Sequence, residues 1–155
     1  MHALGTLAPQ SLTVVPWPDA IIDRIGHHPR SLYVETYWLA ILGPSTTWLH
    51  RHLVAELEIS PRGTVLSLLD TARRLGLGDG VGRSSPFRRA FLRLEQFDLA
   101  IAQGETRLAV RLRVPPLPRR HLHRLPESLQ RAHDMALQAH ALEAGRPSPD
   151  SPDAA

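Results

Sequence analysis

Histidine and glutamate are the side chains here that could support acid–base or metal chemistry. They fall at close spacings: His27-His28, His50-x-His52, Glu56-x-Glu58 and His121-x-His123. On a helix, residues two apart are turned about 200° from each other around the axis. His50 and His52, like Glu56 and Glu58, therefore cannot converge on one ion or one substrate. Cysteine is absent, which removes thiolate nucleophiles, disulfides and cysteine zinc sites together. Neither HExxH nor GxSxG occurs, and no nucleophile has a base at motif spacing. The residues supply no catalytic set, no metal ligands and no cofactor site, and the expectation is a protein that binds rather than an enzyme.

GLGDGVGRSS, residues 76 to 85, is the other stretch with chemical promise. Backbone N–H groups cradle a nucleotide's phosphates when a glycine loop leaves a strand and opens a helix, in a GxxxxGK[ST] or GxGxxG pattern. Lysine is missing from the whole chain, and the residues before Gly76 read as a helix rather than a strand. The glycines read instead as a helix stop and a loop, leaving Arg83, Ser84 and Ser85 at the start of the next helix, where a phosphate on a polymer backbone could meet free N–H groups.

All eighteen basic residues are arginine. Between Arg62 and Arg131 fourteen arginines stand against six acids, a net charge of +8, whereas residues 1–61 carry −2 and residues 132–155 carry −3. Positive charge gathered in one stretch between acidic flanks is the footprint of a phosphate-backbone partner, and a basic face for an acidic protein has the same pattern. The first arginine is Arg24, and prolines at 9, 16 and 18 interrupt the start. The basic, unbroken apolar opening of a signal peptide is thus not found, and the expected location is cytoplasmic, on the nucleoid.

Several elements must position these groups. Residues 1–30 read as a weakly ordered extension with one short helix after Pro18-Asp19, and RPSPDSPDAA from Arg146 as a disordered tail. SLYVETYWLAIL (31–42) reads as a helix ended by Gly43-Pro44. Ser45 or Thr46 then caps a helix to about Leu57, with Leu49, Leu53 and Leu57 inward. Thr64-Val65-Leu66 is β-like. Ser67 and Asp70 fit a capping box for a helix over 68–75 that buries Leu69, Ala72 and Leu75. Ser85-Pro86 opens a further helix whose Phe87, Ala90, Phe91, Leu94 and Phe97 share one side. Arg89 and Gln96 lie opposite, with Arg88 and Arg93 flanking and Leu92 outward as a misfit. Residues 99–102 and 106–114 form a hairpin around Gln103-Gly104, with Leu108, Val110, Leu112 and Val114 on one face and Arg107, Arg111 and Arg113 on the other.

Helix, short strand, helix, helix and ribbon over residues 45–115, with LLDTARRLGLG and SSPFRRAFLRLEQFDLA at its centre, resemble the winged helix-turn-helix family of DNA-binding domains. The resemblance implies a mainly α fold with a small β-hairpin wing. It gives a winged-helix domain over 31–115, a C-terminal helical segment over 116–145, and extra helices at both ends. It implies sequence-specific binding of double-stranded DNA, as in a transcriptional regulator. By position, Arg83, Ser84, Ser85, Arg88, Arg89, Arg93 and Gln96 would face DNA from the recognition helix, and Arg107, Arg111 and Arg113 from the wing. The connection from Gly76 to Ser84 exceeds the family's usual three or four residues, which leaves the packing angle of that helix open. The alternative partner is an acidic protein, with Leu92 on the docking face. The alanine-rich helix after Pro126 either packs on the Tyr33, Tyr37 and Trp38 region or pairs two copies as a homodimer.

Overall fold

The segment expected to be a weakly ordered extension supplies an inner strand of the sheet. The computed structural model describes residues 10–145. Strand β1 (Ser11–Pro16) carries the β-branched run Thr13-Val14-Val15, with Leu12 and Val14 fully buried. Pro16 is its last residue, and the Trp17 amide still donates to the Val110 carbonyl at 2.8 Å. Asp19 then caps α1 (Ala20–Ile25) by accepting from the Ile21 and Ile22 amides. The boundary expected at residue 30 is corrected accordingly. Residues 1–9 and the expected disordered tail at 146–155 lie outside the described residues.

A π-helical segment, Val34–Trp38, runs into α2 (Leu39–Leu42), and α3 (Pro44–Ile59) follows at once. Then come β2 (Thr64–Ser67), α4 (Leu68–Arg74), α5 (Pro86–Gln96), β3 (Ala100–Ala102), β4 (Arg107–Val110), α6 (Arg119–Leu122) and α7 (Glu127–Ala144). The four strands form one mixed sheet in the order β2-β1-β4-β3. β1 lies antiparallel to β2, with Val14 opposite Thr64, and parallel to β4, with Thr13 opposite Arg107 and Pro16 opposite Val110. β3 pairs antiparallel with β4. The architecture is therefore α+β, and the expected free two-stranded wing is half of a four-stranded sheet. The reason lies in β4, where Leu108, Ala109 and Val110 are all buried. Alternation revealed one covered face, but β4 is also flanked by a neighbour on each edge.

The core closes between this sheet and the helices. Leu49, Leu53 and Leu57 of α3 are buried at the expected spacing of four, against Phe87, Ala90, Phe91 and Leu94 of α5, with Trp38, Leu99 and Leu108 around them. Two local expectations are corrected. Gly43, with φ +79°, and not Ser45 or Thr46, sits at the N-cap of α3, and Pro44 takes its first position. In α4 the buried residues are Leu68, Thr71 and Ala72, while Leu69 is exposed and Leu75 only half-buried. β2 passes into α4 without a turn, so Leu68 enters the core first and rotates the buried stripe. Ser67 accepts from the Asp70 amide as expected, but the Asp70 carboxylate bonds Arg74 instead of reaching back.

Gly76 ends the α4 region in a Schellman motif. The Leu77 amide donates to Ala72 and the Gly76 amide to Arg73, with Gly76 at φ +68°. Ser85 opens α5, its Oγ accepting from the Arg88 amide at 3.1 Å and donating to the Gly82 carbonyl at 2.7 Å. Replacing Ser85 with alanine removes both bonds. The expected loss is about 1 kcal/mol, read by chemical denaturation, whereas an unchanged midpoint would show that Pro86 alone starts the helix.

Candidate nucleic-acid interface

The residues expected to face DNA from α5 divide into three groups. Arg89 and Gln96 are exposed and line a groove of about 450 Å³ together with Leu92 and Arg93. The opposite wall is the junction of α2 and α3, from Leu42 to Thr46. Here α3 begins with Pro44, its first helical bond runs from the Thr47 amide to the Gly43 carbonyl, and no side chain caps it. The positive end of a sixteen-residue helix therefore opens beside two arginines.

Arg93 belongs to the groove but is anchored. Its Nε and Nη2 donate to the Ile41 carbonyl at 3.2 and 2.8 Å, and its guanidinium lies 5.8 Å from the Phe97 ring centre. Ile41 sits in the last turn of α2, where carbonyls lack helical partners, so Arg93 satisfies one of them and ties α5 to α2. Of the five guanidinium N–H groups, those left over keep their charge at the groove.

Arg88 does not face outward, which corrects the expectation from the helical wheel. It is only 5% exposed. Burial pushes its pKa down, the charge of Arg83 pushes it the same way, and Glu95 opposes both. A residue at the edge of an apolar stripe goes to whichever side its tertiary neighbours cover. Ser85 is likewise spoken for, since its hydroxyl makes both bonds of the cap. Arg83 and Ser84 remain exposed before α5. Leu92 lies half-buried in the groove wall rather than pointing out.

None of the hairpin arginines lines the groove. Arg107 is exposed, with its Nε on Gln103 Oε1 at 2.9 Å. Arg113 is exposed beside Gly26. Arg111 is a clamp. Its Nε donates to the Asp98 carbonyl at 2.7 Å, its Nη1 donates to Asp19 Oδ2 at 3.1 Å, and its guanidinium stacks 3.8 Å from the Trp17 ring. The two elements expected to present arginines to one surface therefore do so only from α5.

No family model, curated protein or solved structure matches this chain. The interface is thus read from its own geometry. That geometry adds one component not anticipated from the residues, the uncapped start of α3. The signal for it was Gly43-Pro44, read only as a stop and restart, although proline at a first helical position also marks where free N–H groups begin. Among the described residues no helix is long and apolar enough to cross a membrane, and no three His, Asp or Glu side chains are placed to hold a metal ion.

Proposed function

We propose that this chain is a sequence-specific double-stranded DNA-binding protein of winged helix-turn-helix type, acting as a transcriptional regulator. The observation that carries the reading is the groove in which exposed Arg89 and Gln96 of α5 face the open N-terminus of α3. Arginine matches guanine O6 and N7, and glutamine matches adenine N6 and N7. A helix start favours a phosphate oxygen. α5 is then the recognition helix, Arg83 and Ser84 flank it as backbone contacts, and Arg93 fixes its angle by holding α2. The helix order α3, α4, α5 followed by the β3–β4 ribbon supports this reading, while β2 pairs with β1 and not with the ribbon. A homodimer would pair through α7, whose exposed Met135 and Leu142 are seven residues apart, on the side away from buried His133.

Fluorescence anisotropy with duplex DNA, titrated over salt concentration, tests this. Log affinity is expected to fall with log salt at about −0.9 per phosphate neutralised. Arg89→Ala is expected to lose about 1–3 kcal/mol on the preferred site. Arg83→Ala, by contrast, should weaken all duplexes alike and reduce the slope by about one. Affinity without salt dependence, or unchanged binding by the Arg89 variant, overturns the assignment. A nuclease-resistant complex with an acidic protein that needs Arg89 and Leu92 would assign the groove to that partner instead.

A further inference from the structure

A second concavity, remote in sequence from the α5 groove, lies between the end of α1 and α7. It has a volume of about 360 Å³, and its apolar wall is Ile25, Pro116, Ala136 and Leu137. The other wall is aromatic and basic: Tyr33, His27, His133 and His140. No carboxylate lines it.

The aromatic side is fixed in place. The Tyr33 hydroxyl accepts from the Leu117 amide at 2.8 Å and meets His133 Nε2 at 2.8 Å. The rings of Tyr33 and His27 stack at 3.7 Å with 13° between their planes, and Tyr37 presents an edge to His133 at 4.8 Å. His133 is 2% exposed, the one fully buried residue of α7. Its Nδ1 has no partner. The phenol proton finds an acceptor only if it goes to Nε2, which places the imidazole's own proton on Nδ1. The cavity wall therefore contains a buried donor without an acceptor, a costly arrangement for a protein to keep.

Arg113 brings a permanent positive charge near His27, and Asp134 a negative one near His133. Burial is the main cause that lowers the His27 pKa, and the charges of His140, Arg113 and His133 lower it further. With His27 and His133 held neutral by burial, their imidazole N–H groups and the nearby Arg113 guanidinium, beside an apolar wall, are complementary to an anion with an apolar body. A volume near the low end of small-molecule sites, roughly 300–1,000 Å³, suits one ring with a short acid arm.

We propose that this cavity binds a small aromatic monocarboxylic acid, its ring against Ile25, Pro116 and Leu137 and its carboxylate among His27, His133 and His140. Because His133 is the one fully buried residue of α7, with Leu129 half-buried against the core, an occupant bridging α7 to Ile25 also secures that helix. The site stands independently of DNA binding. Duplex affinity without acid binding would remove only this proposal, and acid binding without duplex affinity would leave it intact.

Calorimetric titration of the full chain with benzoate, 4-hydroxyphenylacetate and indole-3-acetate tests it, with the corresponding amides as neutral controls. At least one acid is expected to saturate one site per chain, bind about tenfold more tightly than its amide, and raise the melting temperature. Ala136→Trp, at an exposed position whose larger side chain fills the cavity, is expected to abolish binding while the circular dichroism spectrum is retained. His140→Ala combined with Arg113→Gln, both exposed positions, is expected to weaken the acid about tenfold and leave the amide unchanged. The proposal is overturned if no acid saturates, if acid and amide bind alike, or if Ala136→Trp binds as the parent does. It is also overturned if sedimentation shows a dimer that Ala136→Trp dissociates and the acids do not affect, since the cavity would then belong to a second copy of the chain.

Discussion

Lowering the pH from 6.5 toward 4 is expected to cost the fold about 3 kcal/mol through His50 alone, at roughly 1.4 kcal/mol per pH unit. His50 is 1% exposed, with Nε2 2.8 Å from the Arg111 carbonyl. Burial pushes its pKa down from 6.5 to about 4, against the upward pull of that hydrogen bond, and His28 lowers it slightly further. The folded state keeps His50 neutral, and the unfolded state takes up a proton below its ordinary pKa. Stability is therefore fully present above pH 6.5 and declines as the pH falls, until the folded state protonates as well near pH 4. His27, His121 and His133 are also held low, by burial first, and add slope of the same sign. Urea unfolding at intervals between pH 7 and pH 4 measures the effect. His50→Gln keeps an N–H for the Arg111 carbonyl but cannot titrate, so its curve is expected to be flatter by most of that amount. Parallel curves for parent and variant would show that acid unfolding starts elsewhere.

Arg111→Ala is the second large effect, with an expected loss of about 2–4 kcal/mol. A hydrogen bond to a charged group contributes about 1.5–3 kcal/mol, and Arg111 makes one to the Asp98 carbonyl. The Arg111 side chain is 11% exposed, and its ion pair with the more exposed Asp19 is screened by solvent and adds little to that figure. The loss has three sources, since the guanidinium serves the Asp19 cap of α1, the Asp98 carbonyl after α5 and the Trp17 face at once. Asp98 sits at φ +56°, and the bond from Arg111 helps to hold that turn. Lysine keeps the charge but not the planar fork or the stacking, so Arg111→Lys is expected to recover only a minor part. Thermal unfolding measures both variants. The Lys variant, in its folded fraction, is expected to retain duplex affinity and salt slope, which separates a clamp from a contact to DNA. An Arg111→Ala protein within 0.5 kcal/mol of the parent, the usual range for a surface substitution, would refute the clamp.

How much of this was legible depended on how local each determinant is. α5 could be read because Ser85, Pro86 and five inward apolar residues lie within thirteen positions and specify both its start and its face. The stripe of α3 and the stop at Gly76 are equally local. β1 could not be placed, since its partners are Thr64 to Ser67 and Arg107 to Val110 and nothing beside Thr13 announces them. Alternation extended the second strand to residue 114 with Arg111 on an open face, whereas β4 ends at Val110 and Trp17 and Asp19 cover Arg111. The wheel misplaced Arg88, and left the anchoring of Arg93 unseen, for a similar reason. Both sit at the margin of the apolar stripe, where the wheel is indifferent, and a distant carbonyl, that of Ile41, decides the fate of Arg93.

The insertion of β1 between β2 and β4 has a consequence for biosynthesis. β1 can close on β2 as soon as Ser67 has left the ribosome, but its other edge stays bare until Val110 emerges. An unpaired edge is a template for pairing with a neighbouring chain, and a contact of such sequence separation is slow to form. The nascent protein is thus most vulnerable to aggregation during the middle of its own translation, and a slower ribosome would lengthen that interval rather than relieve it.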